Sequence, residues 1–210
     1  MWIILHRLVH EHFGFADRAA EGLSGKYAME LSAMQPQSAC SKHSPAGTKI
    51  VRAESEEQIE SIRELLLEYA ETIGAESCFQ DFGDELRNLP GEYGEKTGRL
   101  LITACGGEAA GCVALRKFEE GVCEMKRLYV RPPFRGGGIG RACAVAIIEE
   151  ARAMGYRRMV LDTLPVMKEA IALYRTLGFK EVEPCRRYPR ETALLMVLDL
   201  RRFASPTSPG

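Results

Sequence analysis

Arg135-Gly-Gly-Gly-Ile-Gly140-Arg141 sets two arginines and four glycines between a run that reads as a strand, Cys123 to Val130, and one that reads as a helix. Strand, glycine turn and helix N-terminus together make an anion cradle. Glycine permits φ > 0 and close backbone approach, while the first helical N–H groups and the positive end of the helix dipole face whatever sits there. The implied ligand carries phosphates. A nucleoside-triphosphate loop needs G-x-x-x-x-G-K-[ST], but Arg141 and Ala142 follow Gly140, so the lysine and the magnesium-binding hydroxyl are missing. A dinucleotide loop, G-x-G-x-x-G/A, meets Arg141 at its third glycine when counted from Gly136, and Cys143 when counted from Gly138. Only Asp162, about where a ribose-binding acid would fall, keeps that alternative open.

What fits is R-x-x-G-x-G, formed by Arg135, Gly138 and Gly140, followed by Ala170-Ile-Ala-Leu-Tyr174-Arg-Thr-Leu-Gly178-Phe179. The first resembles the acetyl-CoA-binding motif of the GNAT N-acetyltransferase superfamily, and the second is similar to that family's A-x-x-L-Y-x-x-x-G-F segment. The resemblance covers residues 48 to 200. It implies an α/β (α+β) fold: a mixed, mostly antiparallel sheet flanked by helices, with a splayed central strand pair. It also implies acetyl-CoA as donor cosubstrate, and direct attack by a primary amine within a ternary complex. The main chain of Leu128, Tyr129 and Val130 would pair with the pantetheine arm like an added strand. Arg135, Gly136, Gly137, Gly138, Ile139, Gly140 and Arg141 would hold the pyrophosphate. The family often carries a cofactor-contacting asparagine three residues before the alanine of its second motif, where this chain has Met167.

That chemistry makes demands on side chains. An alkyl amine of pKa ~10.4 is neutral in about one molecule in a thousand at pH 7.4, an obstacle of ~4 kcal/mol unless a base removes the proton. Glu124 is the candidate, a carboxylate on the strand lining the slot where similar family members often carry an acid; the plainer reading pairs it with Lys126 or Arg127. Backbone N–H groups near Leu128 would meet the oxyanion. Tyr174 stands where the family carries its general acid, and a phenol can protonate a departing thiolate. Alternatively it is a helix-face aromatic packed with Ile171 and Phe179.

Composition excludes more than it specifies. With 28 basic and 29 acidic residues there is no nucleic-acid footprint and no polybasic membrane patch. The cysteines at 40, 78, 105, 112, 123, 143 and 185 form no C-x-x-C pair, as expected of reduced core thiols in a cytoplasmic protein; Cys123 and Cys143 are read as core, not as acyl carriers. His6, His10 and His12 lack a placed carboxylate or cysteine partner, so no metal is expected. Trp2-Ile-Ile-Leu5 is too short for a signal core or a membrane span. A monomer or homodimer is expected. A non-catalytic CoA- or nucleotide-binding regulatory or interaction module is the alternative function.

The acceptor is a small-molecule amine, or a peptide N-terminus or lysine. Asp81, Asp84, Glu85, Glu92 and Glu95 face one basic residue, Arg87, and suit a cationic acceptor, whereas Pro184-Cys-Arg-Arg-Tyr-Pro-Arg190 suits an acidic one.

These residues must be positioned by the elements around them. Lys49 to Ala53 reads as a strand, and Ser55-Glu-Glu-Gln58 as a capping box opening a helix with Ile59, Ile62, Leu66, Tyr69 and Ile73 inward. A short helix around residues 84 to 89 precedes strands at 99–104, 109–118 and 122–130; then come the glycine-loop helix, a strand at 158–163, a helix at 166–177 capped by Gly178, and strands at 180–182 and 193–199. Strict alternation along 122–130 would set charges beside core residues. One extra residue at Lys126-Arg127 instead puts Cys123, Met125, Leu128 and Val130 on one apolar face, with Glu124, Lys126 or Arg127, and Tyr129 on the other, which predicts a β-bulge.

Residues 1–47 form a separate, flexible extension on their Ser/Pro/Gly-rich composition, residues 48–202 the transferase domain and 203–210 a frayed tail. Deleting residues 1–47 should therefore leave acetyl-CoA binding unchanged and move Tm by less than about 3 °C, the shift that ~1 kcal/mol produces in a domain of this size. Scanning calorimetry of the truncated chain checks this.

Overall fold

Gly106, Gly107 and Gly121, all at positive φ, close two tight turns that fold residues 99–130 into an antiparallel meander. The computed structural model describes residues 47–73, 82–183 and 193–204. The strands are β1 (Thr48–Arg52), β2 (Arg99–Cys105), β3 (Glu108–Glu119), β4 (Val122–Val130), β5 (Arg158–Thr163), β6 (Lys180–Val182) and β7 (Leu194–Asp199). The helices are α1 (Glu56–Ile73), α2 (Phe82–Arg87), α3 (Ile139–Ala153) and α4 (Lys168–Thr176). The strands form one sheet in the order β1-β2-β3-β4-β5-β7-β6, antiparallel everywhere except between β4 and β5. None of the described helices is long and apolar enough to cross a membrane. The N-terminal histidines, Asp81, Cys40, Cys78, Cys185, the 184–190 connection and the tail from 205 lie outside the described residues.

Both faces of the sheet are covered. On β3, Val113 and Leu115 point into a cluster with Ile147 and Ile148 of α3, while Cys112 and Ala114 point into a second with Ile62, Leu65 and Leu66 of α1. Period-two alternation thus becomes two hydrophobic layers, each fully buried aliphatic side chain contributing ~1.5 to 3 kcal/mol. The capping box forms as expected: the Gln58 amide donates to Ser55 Oγ at 3.2 Å and the Ser55 amide to Gln58 Oε1 at 3.1 Å. At the far end, α4 closes in a Schellman arrangement, with Gly178 at φ 93° and the Phe179 amide bonded to the Tyr174 carbonyl at 3.0 Å. The expected helix from 166 begins at Lys168, because residues 164–167 form a turn in which the Met167 amide donates to the Leu164 carbonyl.

The bulge lies where the alternation required it. Cys112 opposes Tyr129 and Ala114 opposes Lys126, so Val113 alone faces both Arg127 and Leu128. Arg127 takes φ 59°, a left-handed conformation that costs a non-glycine residue ~1 to 2 kcal/mol. Leu128 and Val130 then join the α3 cluster with Cys123 and Met125, and Tyr129 joins the α1 cluster. Beside it, β4 pairs with β5 only through Val122, Cys123 and Glu124, against Arg158, Met159 and Val160, and the strands part beyond.

Gly111 of β3 sits against this bulge. A Cβ there would fall inside van der Waals contact with the Tyr129 carbonyl oxygen and lie 3.2 Å from Val130 Cα. Gly111→Ala should cost ~1 to 3 kcal/mol by overpacking, read as a lowered denaturation midpoint with unchanged m-value.

Candidate active site

Where β4 ends, the chain makes one short turn over Pro132–Phe134 and enters the glycine loop. Gly136 and Gly138 hold φ of 81° and 84°, and Gly138 is the N-cap of α3 without a side chain to cap it. The first amides of a 15-residue helix are therefore left for a ligand. A Cβ built on Gly136, Gly137 or Gly138 would meet no protein atom within 4 Å, so the loop opens outward, as a phosphate cradle must. Arg135 folds back beside it, donating from Nε to the Val130 carbonyl at 2.8 Å with its guanidinium 5.7 Å from the Tyr129 ring centre. These residues fit a pyrophosphate.

From the cradle a cleft of about 520 Å³ runs between the end of β4 and the N-terminal part of α4. Leu128, Tyr129, Val130, Arg135, Gly136 and Gly140 of the expected cofactor set line it. Ile139 is instead buried in the core at 4% exposure, and Arg141 turns to α4, donating to Thr176 Oγ1 at 3.1 Å and lining a different cavity. The cleft continues into a recess of about 80 Å³ in the gap between β4 and β5, walled by Lys126, Arg127, Asp162 and Thr163. Tyr69, Leu128, Met167 and Tyr174 line both spaces. A long groove thus meets a small polar chamber at Tyr174. That tyrosine also packs 5.7 Å from Phe179, as the plainer reading expected, and burial followed by the charge of nearby Tyr69 and Asp162 pushes its phenol upward, keeping it protonated. Met167, in place of the family's asparagine, accepts a long contact from Thr163 Oγ1 at 3.7 Å.

Glu124 occupies a different position. Its carboxylate is sealed at 1% exposure and does not line the recess; Arg116 Nε donates to it at 2.7 Å and Lys126 Nζ lies 3.5 Å away. Lys126 also reaches Asp162 Oδ1 at 3.1 Å, and Arg116 reaches Glu92 at 2.5 Å. An alternating line of charge, Glu92, Arg116, Glu124, Lys126 and Asp162, therefore crosses β3, β4 and β5 and ends at the recess. The acidic loop is similarly engaged: Asp84 pairs with Arg87 and Glu85 with Arg127, leaving less unbalanced acid over the slot than the composition suggested. Burial opposes ionisation of Glu85, but the hydrogen bond and charge of Arg127 and the Tyr93 hydroxyl outweigh it and hold the carboxyl below its usual range.

The glycine cradle, the splayed strands and the joined clefts coincide with a match to the acetyltransferase (GNAT) family over residues 59–179. The chain belongs to that family. It is 36% identical over 160 residues to an uncharacterized N-acetyltransferase of Schizosaccharomyces pombe, covering 75% of this chain and 98% of that protein. An acetyltransferase structure from Streptococcus agalactiae has a TM-score of 0.63 at 20% identity, covering 73% of this chain and 98% of its own. The Salmonella typhimurium yncA structure, solved with its cofactor acetyl-CoA, has a TM-score of 0.54 at 22% identity, covering 78% and 99%. These two likenesses are of fold. As a GNAT enzyme the protein is an N-acetyltransferase with acetyl-CoA as acetyl donor.

Sequence reasoning missed two residues that line these clefts. Tyr69 was legible only as part of an apolar helix face, and Asp162 only as an acid about where a ribose-binding one would fall. Cys123 and Cys143 are core as expected, both fully buried, and burial pushes the Cys123 thiol up to about 12, so it carries no thiolate at neutral pH.

Gly138→Val places a branched side chain in the open cradle and forces it to φ 84°. Acetyl-CoA Kd should rise about 10- to 100-fold, as loss of one or more charge-assisted backbone bonds demands. Stability should fall by only ~1 to 2 kcal/mol. Titration calorimetry and denaturation separate the two.

Proposed function

We propose that residues 48–202 form a cytoplasmic catalytic unit that acetylates a primary amine by direct attack in a ternary complex. The observation that carries this reading is the meeting of groove and recess at Tyr174, beside the stretch of β4 that has parted from β5. Bound acetyl-CoA supplies an activated thioester. The loop from Arg135 to Arg141 cradles its pyrophosphate, and the main chain of Leu128, Tyr129 and Val130 pairs with its pantetheine arm. A main-chain N–H near Leu128 receives the negative charge that develops on the thioester oxygen. Tyr174, kept as a phenol by burial, donates a hydrogen bond or its proton to the departing sulfur.

Glu124 is the base in this scheme. Because it is sealed behind Lys126, the proton from the acceptor's ammonium reaches it through a water, or through the Lys126 ammonium, which gives one proton to Glu124 as it takes one from the acceptor, and Asp162 holds that acceptor in the recess. Direct transfer suits the described cysteines, all four of which are buried and offer no acyl carrier. The same buried, unpaired thiols suit a reducing cytoplasm. The acceptor is an alkyl amine, a small molecule or a peptide N-terminus or lysine.

Thiol release against an amine library, followed by initial-rate kinetics, tests the scheme: intersecting double-reciprocal lines are expected, and parallel lines would exclude the ternary complex. Glu124→Gln should lower kcat/KM by about 10² to 10⁴ at neutral pH while acetyl-CoA binding persists. Its rate should keep climbing toward the amine pKa of ~10.4, where solvent removes the proton, after the parent's has levelled. Tyr174→Phe should lose turnover without that rescue. Full activity in Glu124→Gln, with the pH-rescued loss appearing in Asp162→Asn instead, would move the base to Asp162.

A further inference from the structure

Arg127 is the one residue other than glycine with positive φ among the described residues, and it is the residue on which the β4 bulge turns. A conformation of that kind persists only when its surroundings over-determine it. The surroundings are unusually specific. Arg127 Nε donates to Glu85 Oε1 at 2.8 Å and Nη2 to Glu85 Oε2 at 2.5 Å, a two-pronged pair whose side chains are 13% and 20% exposed. The Tyr93 hydroxyl donates to the same Glu85 Oε1 at 2.6 Å, and the Arg127 guanidinium sits 5.1 Å from the centre of the Phe82 ring. Phe82 and Glu85 both belong to α2, and Phe82 and Leu86 anchor that helix in the α1-side core. A short helix with no residue in either cleft is thus bolted to the one strained residue of the strand that lines both.

We propose that Glu85 is a positioning residue for acetyl transfer: through Arg127 it locks the bulge, and so fixes where the Leu128 main chain points. The inference rests on the acetyl-transfer reading above for its functional consequence, not for its geometry. A paired guanidinium and carboxylate make a planar, directional clamp, which is why arginine stands at a position where glycine would be conformationally easier. Glycine at 127 would reach the same φ without a clamp. That difference separates a positioning role for Glu85 from a merely structural one on α2, because removing Glu85 should matter only while residue 127 carries a side chain that resists φ 59°.

The test compares E85A with the double variant E85A/R127G in the full chain. E85A should lower kcat by about 10- to 100-fold, the loss expected when a reacting group is displaced by about 1 Å, while acetyl-CoA KM stays within about threefold. In the ligand-free protein, amides of residues 126–130 should exchange with solvent at least about tenfold faster than in the parent. E85A/R127G should recover at least half of both losses on a logarithmic scale. Parental kcat and exchange in a folded E85A, or a double variant no better than E85A, would overturn the proposal. If E85A does not fold, E85Q, which keeps one hydrogen bond to Arg127, is compared with E85Q/R127G by the same criteria. Should the parent turn over no amine, acetyl transfer fails as a reading, while the exchange comparison still decides whether Glu85 holds the bulge.

Discussion

A strand in the middle of a sheet must hydrogen-bond on both sides, and β4 does so only as far as Glu124. Beyond that point it keeps β3 and loses β5. An unsatisfied backbone group sealed from water costs ~1 to 3 kcal/mol, so such an edge persists only if it opens onto solvent or a ligand. Here it opens onto the joined clefts. The departure is forced by the extra residue at Arg127, which increases the local twist and swings Leu128 and Val130 away from β5. The remaining parts of the site follow the bend: the glycine loop begins five residues after Val130, the first turn of α3 lines the cleft through Gly140, and α4 brings Tyr174 to the gap.

The face of the sheet toward α1 and α2 carries the cost of this arrangement in buried charge. Side-chain exposure is 71% at Glu92, 33% at Arg116, 2% at Glu124, 18% at Lys126 and 15% at Asp162, so the line of ion pairs is driest at Glu124 and wetter on either side of it. Each member is flanked by opposite charge, which lets the line tolerate burial that an isolated carboxylate would not. It also couples the groups. Neutralising one changes the electrostatics of the others, and a residue can influence the recess without lining it.

The opposite face is apolar and rigid. Cys143, Ile147 and Ile148 of α3 lie fully buried on the strands that carry the site, so the helix that presents the cradle cannot shift without repacking the core. The N-terminus of α3 is therefore a fixed donor set, which suits binding of a long, flexible cosubstrate whose own ordering is costly.

Much of this was legible in the sequence because it depends on neighbours in the chain. Hydrophobic alternation located the strands, Ser55 to Gln58 and Gly178 marked helix ends, and the glycines of 136–140 with Arg135 declared an anion cradle. The bulge too was visible, since only an inserted residue reconciles Met125 and Leu128 with one face. What the chain could not declare were distances between residues far apart in sequence. Arg116 lies eight residues from Glu124 but Asp162 lies 36 from Lys126 and Glu85 lies 42 from Arg127, and only folding brings those pairs within hydrogen-bonding reach. Glu124 was thus readable as a carboxylate on the right strand, while its burial behind Lys126, the arrival of Asp162 at the recess and the clamp of Glu85 on the bulge were decided by how the sheet and helices pack, because burial and ion pairing are properties of the assembled layers rather than of any local pattern.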